Sequence, residues 1–461
     1  MSILLTHAYF LAEDEIEQKI MKPYPPLGLL YISAYLDLHK ISHQISDTTF
    51  LSEAEWFANI HKTKPQVIAF YTNLLTKVKI LNLIKRLKKI EEYKYIKIVL
   101  GGPDVTYNDE NYLKYGADYL VVGEGEETFL EFSQQFFGNQ DFAEVDGLVF
   151  LSDNGEIIRN PPRKHIKDID LLPPPNREKI DLNAYLTTWK KHNGQNALNI
   201  STQRGCPYNC RWCSKAVYGQ SYRRRKPKLV VDEIELLIGK YNPDTLWFVD
   251  DVFTVNQKWV DDFSNEMKAR GIIIPFECIT RAEHLDEDTL LKLKTAGCFR
   301  IWIGAESGSQ RILDLMDRRV KVEQVKEMVR LTKKFGIETG TFIMVGYPGE
   351  TENDIIETIE YLKQANPDLF TVTITYPIKG TSLYEQIKNK ILYEPNWDLG
   401  TDREINFKRT YSLKYYNYAV RRMTNEVLYH KEKLSEKRFQ KKAVIHFIKA
   451  KISAIQMKLA K

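Results

Sequence analysis

No run of about 18 apolar residues occurs in this 461-residue chain, which excludes a helix that spans a bilayer. The opening stretch, MSILLTHAYFLAEDE, has neither a basic n-region nor a small-residue cleavage site, so no secretion signal is expected. Cysteine is scarce. Five residues are too few for a disulfide scaffold and fit a reducing, cytoplasmic setting. With 43% hydrophobic and 28% charged residues the composition is that of a globular protein, long enough for two or three domains. The net charge of +5 is unevenly spread: from Lys408 to Lys461, 15 Lys or Arg stand against 3 Asp or Glu, which leaves the rest of the chain acidic. A basic tail of this kind suits nucleic acid, anionic lipid or an acidic partner, and composition does not choose among them.

The scarce cysteines are clustered. Cys206, Cys210 and Cys213 lie in QRGCPYNCRWCSK at the spacing C-x-x-x-C-x-x-C. Thiolates are soft ligands for iron–sulfur clusters or zinc. A structural zinc site completes its tetrahedron with a fourth Cys or His at short spacing, but only the isolated Cys278 and Cys298 remain. Three thiolates on one tight loop suit a four-iron, four-sulfur cluster with one iron open to a small molecule.

Residues 1–140 alternate short apolar strands (Ile3–Leu5, Gln44–Ser46, Val67–Tyr71, Lys97–Leu100, Tyr119–Val122) with helical stretches such as Leu27–Leu38 and Val78–Lys89. That alternation predicts a doubly wound, Rossmann-like parallel sheet. Its glycine-bearing turns GGPD and GEGE follow strands, where ligands of such sheets bind. Residues 141–195 read as a connector, with a hairpin turning at Asn154-Gly155 and a stiff proline-rich link at Leu171–Asn176. Residues 196–385 hold six more strand–helix units, with strands at Leu198–Thr202, Thr245–Val249, Phe276–Thr280, Arg300–Gly304, Thr341–Val345 and Thr371–Thr375. Six units fall short of the eight in a closed barrel. Residues 386–461 become irregular and then helical, and Ala443–Lys461 mixes apolar and lysine positions in a rough helical period.

The cysteine loop, following the first strand of a six-unit series, resembles the radical S-adenosylmethionine superfamily, whose fold is a partial (β/α)6 barrel. The resemblance implies that the loop carries the cluster and that the open iron chelates the amino and carboxylate groups of S-adenosylmethionine. It sets Trp212 near the adenine. In FVDDVF it gives Asp250 and Asp251 to the amino group, without deciding which makes the contact. Arg281, in ECITRAEHL, is implied to approach S-adenosylmethionine or a corrin, and an arginine fork suits a carboxylate. Glu306 and Ser307, in IWIGAESGSQ, fall to the ribose hydroxyls and nearby polar atoms, and Gly346, in FIMVGYPGET, to the adenine side.

The N-terminal elements YPPLGLLYISAYL, Asp47, VLGGPD and VVGEGEET resemble the cobalamin-binding domain of the same enzymes. The resemblance implies that the corrin's nucleotide tail enters this sheet, with Thr72, Asn73, Gly101, Gly102, Glu124 and Gly125 as candidate contacts. The cobalt-ligating D-x-H-x-x-G motif is missing. Asp37-Leu38-His39 falls at a helix end, and His39 is expected to be a helix-end or packing residue, leaving no histidine on the lower face of the corrin. The implied cofactors are therefore a 4Fe-4S cluster, S-adenosylmethionine and cobalamin.

The implied activity is methylation of an unactivated carbon through a 5′-deoxyadenosyl radical and methylcobalamin. An oxidative cyclase or rearrangement enzyme would use the same residues. A non-catalytic cobalamin or redox sensor would bind the cofactors without cleaving S-adenosylmethionine, and four strand-end motifs that fit this cosubstrate speak against it. Expected partners are a small-molecule or lipid substrate and a reducing donor such as flavodoxin or ferredoxin; nucleic acid is not expected. The lysine-studded last helix suits either a peripheral contact with an anionic membrane or packing on the barrel.

Overall fold

A computed structural model describes residues 2–434 and 441–461. The chain forms two compact units: Met1–Pro207 with Ser214–Thr245 and Pro395–Arg403, and Tyr208–Cys213 with Leu246–Glu394 and Glu404–Lys461.

In the first unit, β1 (Ile3–Thr6), β2 (His43–Ser46), β3 (Val67–Tyr71), β4 (Lys97–Gly101) and β5 (Tyr119–Val121) run parallel in the order β2-β1-β3-β4-β5. Side chains of a strand alternate between its two faces, and the apolar residues of β1, β3 and β4 feed separate cores on the two faces. Leu4, Ile68, Phe70 and Ile98 join Trp56, Ile80 and Ile84 on one side; Ile3, Leu5, Val67 and Val99 join Leu29, Leu36 and Phe132 on the other. Each such side chain contributes roughly 1.5–3 kcal/mol on burial. The hairpin expected in the connector instead extends this sheet. β6 (Leu148–Leu151) pairs antiparallel with β5, and β7 (Ile157–Arg159) with β6. Apolar Leu148 and Val149 are buried, and covering the edge of β5 removes unpaired backbone groups. The unit also holds β8 (Ala197–Ile200) and the short antiparallel pair β9 (Gln203–Arg204) and β10 (Arg223–Arg224).

In the second unit β11 (Thr245–Phe248), β12 (Phe276–Thr280), β13 (Cys298–Glu306), β14 (Glu338–Val345) and β15 (Leu369–Ile374) are consecutive parallel neighbours. With β8, all six strands of the second series form, each within a few residues of its expected range. Helices Gln257–Ala269, Glu287–Thr295, Val322–Lys334 and Glu352–Ala365 connect them. Their starts are encoded locally: Asn256 and Asp286 accept backbone N–H bonds as N-caps, and Thr351 with Asp354 forms a capping box. An aromatic cluster of Phe248, Phe253, Phe263 and Phe276, with Trp259 stacked 5.2 Å from Phe263, fills the space between the first of these helices and the strands.

The region after Tyr384 is more ordered than its sequence suggests. It contains the antiparallel pair β16 (Ile391–Tyr393) and β17 (Asn406–Phe407), then two long helices, Leu413–Leu434 and Lys441–Leu459, packed on each other. Among the described residues no helix is long and apolar enough to cross a membrane.

Trp56 is fully buried and its indole N–H donates to Thr6 Oγ1 at 3.1 Å. Trp56→Ala is expected to cost about 3–5 kcal/mol, read as a lower midpoint in denaturant unfolding; an unchanged midpoint would contradict the core described for the first sheet.

Candidate functional site

The first unit gathers its candidate residues at the carboxyl ends of β3, β4 and β5. Thr72 follows β3; its backbone N–H donates to Gly101 O at 2.7 Å, while its buried hydroxyl has no hydrogen-bond partner. Gly102 has φ +111°, and a Cβ there would stand 2.4 Å from Thr72 O, so only glycine lets these two turns meet. Gly101 ends β4, and Gly125 opens the helix Gly125–Phe137, with room for a Cβ only at 3.0 Å from Ile32. Asn73 is occupied locally. Its Oδ1 accepts the N–H groups of Leu75 and Thr76 at 2.9 and 3.1 Å, which sets up the helix Lys77–Lys89.

His39 is an exposed C-cap whose ring leans on Tyr35, as its place at the helix end suggested. A different histidine, His7, directly follows β1. Its Nδ1 accepts the Tyr9 N–H at 3.1 Å, which leaves the ring proton on Nε2, donated to Asp47 Oδ1 at 2.9 Å. Both nitrogens are thus engaged within the sheet. Burial opposes the charge on Asp47, but hydrogen bonds from His7, Tyr185 and the Thr49 N–H hold its carboxyl below the usual range. Glu124, a candidate ligand contact, is tied into the protein by ion pairs. It is buried and pairs with Arg223 and with Arg204 at 3.4 Å, while Arg204 also pairs with Glu126. These ion pairs tie β9 and β10 to the start of helix Gly125–Phe137. Removing one partner of such a buried set leaves an uncompensated charge.

In the second unit the segment Tyr208–Cys213 lies among residues from the ends of β12 and β13. Arg281, just after β12, is buried and donates from Nη1 to Cys210 Sγ at 3.4 Å and from Nη2 to Arg318 O at 2.6 Å. Its guanidinium stacks 3.9 Å from the Tyr208 ring centroid and pairs with Glu283. Tyr208 in turn hydrogen-bonds His284. The loop is pinned by its backbone, since Arg211 N–H donates to Met316 O at 3.2 Å and Leu383 N–H donates to Arg211 O at 2.8 Å. Trp212 packs on the core of Met316, Tyr347 and Leu383.

Glu306 ends β13 at a register shift and has φ +62°, a conformation that costs a non-glycine residue about 1–3 kcal/mol and is kept mainly at functional sites. Burial pushes its carboxyl up, against the opposing pull of Arg318 and then Arg281. Ser307 faces inward: its hydroxyl lies 3.2 Å from Thr358 Oγ1 and accepts the Ser309 N–H. Gly346, with φ +77°, donates its N–H to Glu350 Oε2 at 2.5 Å. At the end of β11, Asp250 is buried while Asp251 reaches solvent; crowding by protein atoms, then the Asp250 charge, raise the Asp251 carboxyl.

Three residues were not legible in the sequence. Arg318, in the unremarkable DRRV, is 2% exposed and has two N–H groups, Nε and Nη1, without hydrogen-bond partners; Glu306 and Glu283 stand 3.9 and 3.8 Å away. Arg409 stacks 3.7 Å from Phe407 and donates to Thr375 O at 2.8 Å; burial lowers it to about 10. Glu350 lies inside the GYPGET motif but was passed over for its glycine.

All five cysteines are thiols. Cys278 and Cys298 are core residues, Cys206 and Cys210 are half-buried and Cys213 is exposed. Among the described residues no three His, Cys, Asp or Glu side chains stand at ligand distance, as is usual where metal binding and local folding are coupled. The donor chemistry fits an iron–sulfur cluster: three accessible thiols on one loop, one of them, Cys210, hydrogen-bonded by the buried Arg281. The orphaned Thr72 hydroxyl and the glycine turn at Gly102 likewise fit the close approach of a bulky ligand tail to the first sheet.

Two α/β units with these strand-end sites define a cofactor-dependent enzyme with a three-cysteine loop. Residues 18–133 match the B12 binding domain and residues 200–362 the Radical SAM superfamily. The chain is 30% identical over 394 residues to "Uncharacterized methyltransferase PH0819" of Pyrococcus horikoshii, covering 84% of this chain and 83% of that one. It is 26% identical to the anaerobic magnesium-protoporphyrin IX monomethyl ester cyclase of Rubrivivax gelatinosus, over 80% of this chain and 67% of that one. In fold it is similar to the cobalamin-dependent S-adenosylmethionine radical enzyme OxsB, with TM-score 0.76, 15% identity, all of this chain and 72% of that chain. The chain belongs to the cobalamin-dependent radical S-adenosylmethionine enzymes.

Glu350 is fully buried with Oε1 unpartnered, and its carboxyl is raised to about 8, chiefly by burial. The fold therefore favours protonated Glu350: that stabilisation is full below about pH 4.5 and is lost as pH rises through about 8. Between those limits the thermal midpoint of the native chain should fall relative to that of Glu350→Gln, which carries no titrating group there. Parallel pH profiles for the two proteins would contradict this.

Proposed function

We propose that this chain transfers a methyl group to an unactivated carbon of a small-molecule or lipid substrate. The observation that carries the reading is the buried Arg281 guanidinium donating to Cys210 Sγ at the end of β12. It gives a cysteine of the loop a fixed positive neighbour where catalytic groups of βα folds gather. Cys206, Cys210 and Cys213 would hold the cluster. When bound, the cluster supplies the electron that cleaves S-adenosylmethionine and cobalamin supplies the methyl group.

The protein's own work is placement. Arg281 donates to Cys210 Sγ and fixes the loop. Arg318 offers unpartnered N–H groups that suit a carboxylate. Asp251, or Asp250 behind it, suits an ammonium group, and Glu306 a ribose diol. Trp212 offers a ring face to the adenine. Ser307 and Gly346 shape the backbone on either side. In the first unit Thr72, Gly101, Gly102 and Gly125 would admit the corrin tail, while Asn73 and Glu124 hold the neighbouring elements in place. With both nitrogens of His7 engaged and His39 on the surface, the lower face of the corrin would receive no histidine from these positions.

Enzymes of this superfamily act on small molecules and require a reductant; a flavodoxin or ferredoxin would serve. The likeness to the magnesium-protoporphyrin cyclase supports an oxidative cyclisation as the second reading. A peripheral membrane contact through the basic C-terminus belongs to the first reading as the means of meeting a lipid substrate.

In the reconstituted enzyme, Cys210→Ala is expected to abolish 5′-deoxyadenosine formation, measured by chromatography under reducing, anaerobic conditions. Retained cleavage would refute the assignment of the loop. With substrate, 5′-deoxyadenosine together with S-adenosylhomocysteine is the expected product pair; the former alone would favour the cyclase reading.

A further inference from the structure

The last helix, Lys441–Leu459, is apolar on two opposite sides. Ala443, Ala450, Ser453 and Met457 recur at steps of seven, three and four, and all are buried. They are mostly small, which lets the helix pack closely on Leu413–Leu434. The packing is completed by His446 Nδ1, 2.9 Å from Asn425 Oδ1, by the Phe447 ring 5.3 Å from Tyr429, and by Ser412 Oγ donating to Ala460 O.

The bulky residues point the other way. Ile445, Ile448, Ile452, Ile455 and Leu459 recur at steps of three and four, so they form one stripe along the helix. They are exposed, Ile448 and Ile452 by 50%, Ile455 by 61% and Leu459 by 84%. At about 100° per residue, Lys442 and Lys449 flank one edge of the stripe, and Lys451 and Lys458 the other. Residues 441–461 contain six lysines and no acidic residue. Among the described residues only Lys461 of the six forms an ion pair, with Glu352 at 2.7 Å.

We infer that this face lies in the plane of an anionic lipid surface, with the isoleucines among the acyl chains and the four flanking lysines at the headgroups. Five large aliphatic side chains held in water are an uncompensated cost for a helix whose packing needs are already met by its other side. Lysine stems can cover apolar surface while their ammonium groups reach phosphate, and each basic residue adds attraction to an anionic leaflet. With its lysines the helix is not apolar enough to cross the bilayer, so an in-plane arrangement is the one its composition allows. A second copy of the chain is the poorer occupant. A two-fold contact sets the same patch against itself, and here that brings lysine rows together with no carboxylate in the segment to neutralise them. The inference extends the peripheral contact suggested above but does not depend on the catalytic reading.

The test is flotation of the full-length, reconstituted protein with phosphatidylcholine vesicles, with and without phosphatidylglycerol. The native chain is expected to float with the phosphatidylglycerol vesicles and to bind pure phosphatidylcholine about tenfold more weakly, with the difference shrinking at high salt. Ile448→Asp/Ile452→Asp should lose about tenfold or more of the binding, while its circular dichroism and 5′-deoxyadenosine formation stay unchanged. Equal flotation of the variant, or no flotation of the native chain, would overturn the inference. So would sedimentation showing a native dimer that the variant converts to monomer, which would assign the face to a second copy. Loss of S-adenosylmethionine cleavage with flotation intact would strike only the catalytic reading.

Discussion

A parallel sheet delivers the carboxyl ends of all its strands to one edge, and both units of this chain rest on that constraint. Each connection must return over a face of the sheet, so helices cover the faces and leave the carboxyl edge to loops. There the backbone is not committed to a ladder and side chains are free to be specialised. Thr72 and Gly101–Gly102 occupy this edge in the first unit; Asp250–Asp251, Arg281, Glu306 and Gly346 occupy it in the second. Departures from regular backbone occur there too, in the φ +62° of Glu306 and the φ +111° of Gly102.

The charges at the second edge are few, buried and interdependent. Arg281 and Arg318 are nearly inaccessible, and the carboxylates they face are Glu283 and Glu306. An arrangement of this kind is poorly satisfied by itself. The unpartnered N–H groups of Arg318 and the orphaned Thr72 hydroxyl are what such sites show when their polar complement comes from a ligand.

Much of this was legible in the sequence, for reasons that are local. Val67–Tyr71 is a continuous apolar run because its strand is buried on both faces, and Leu27–Leu38 repeats apolar residues at helical spacing. The cysteine loop announces itself because its ligands are neighbours in the chain. Arg318 and Glu350 could not be read, because their meaning comes from burial against residues distant in sequence. The ion pairs of Glu124 with the arginines of β9 and β10 were likewise hidden, because a carboxylate in a glycine-bearing turn looks the same whether or not distant arginines meet it. The connector hairpin was recognised as a hairpin but not as part of the sheet, since the residues it pairs with lie 27 to 31 positions upstream. The last helix defeated periodicity in a different way. Two opposed apolar faces, one of small residues and one of isoleucines, blur the single stripe that amphipathic patterns are read from.

The most direct test of the account is the iron and cobalt content of the anaerobically purified chain after reconstitution with iron, sulfide and cobalamin. About four irons and one cobalt per chain are predicted. Four irons without cobalt would refute the role given to the first unit, and absence of bound iron would contradict the central claim that the Cys206–Cys213 loop carries a cluster.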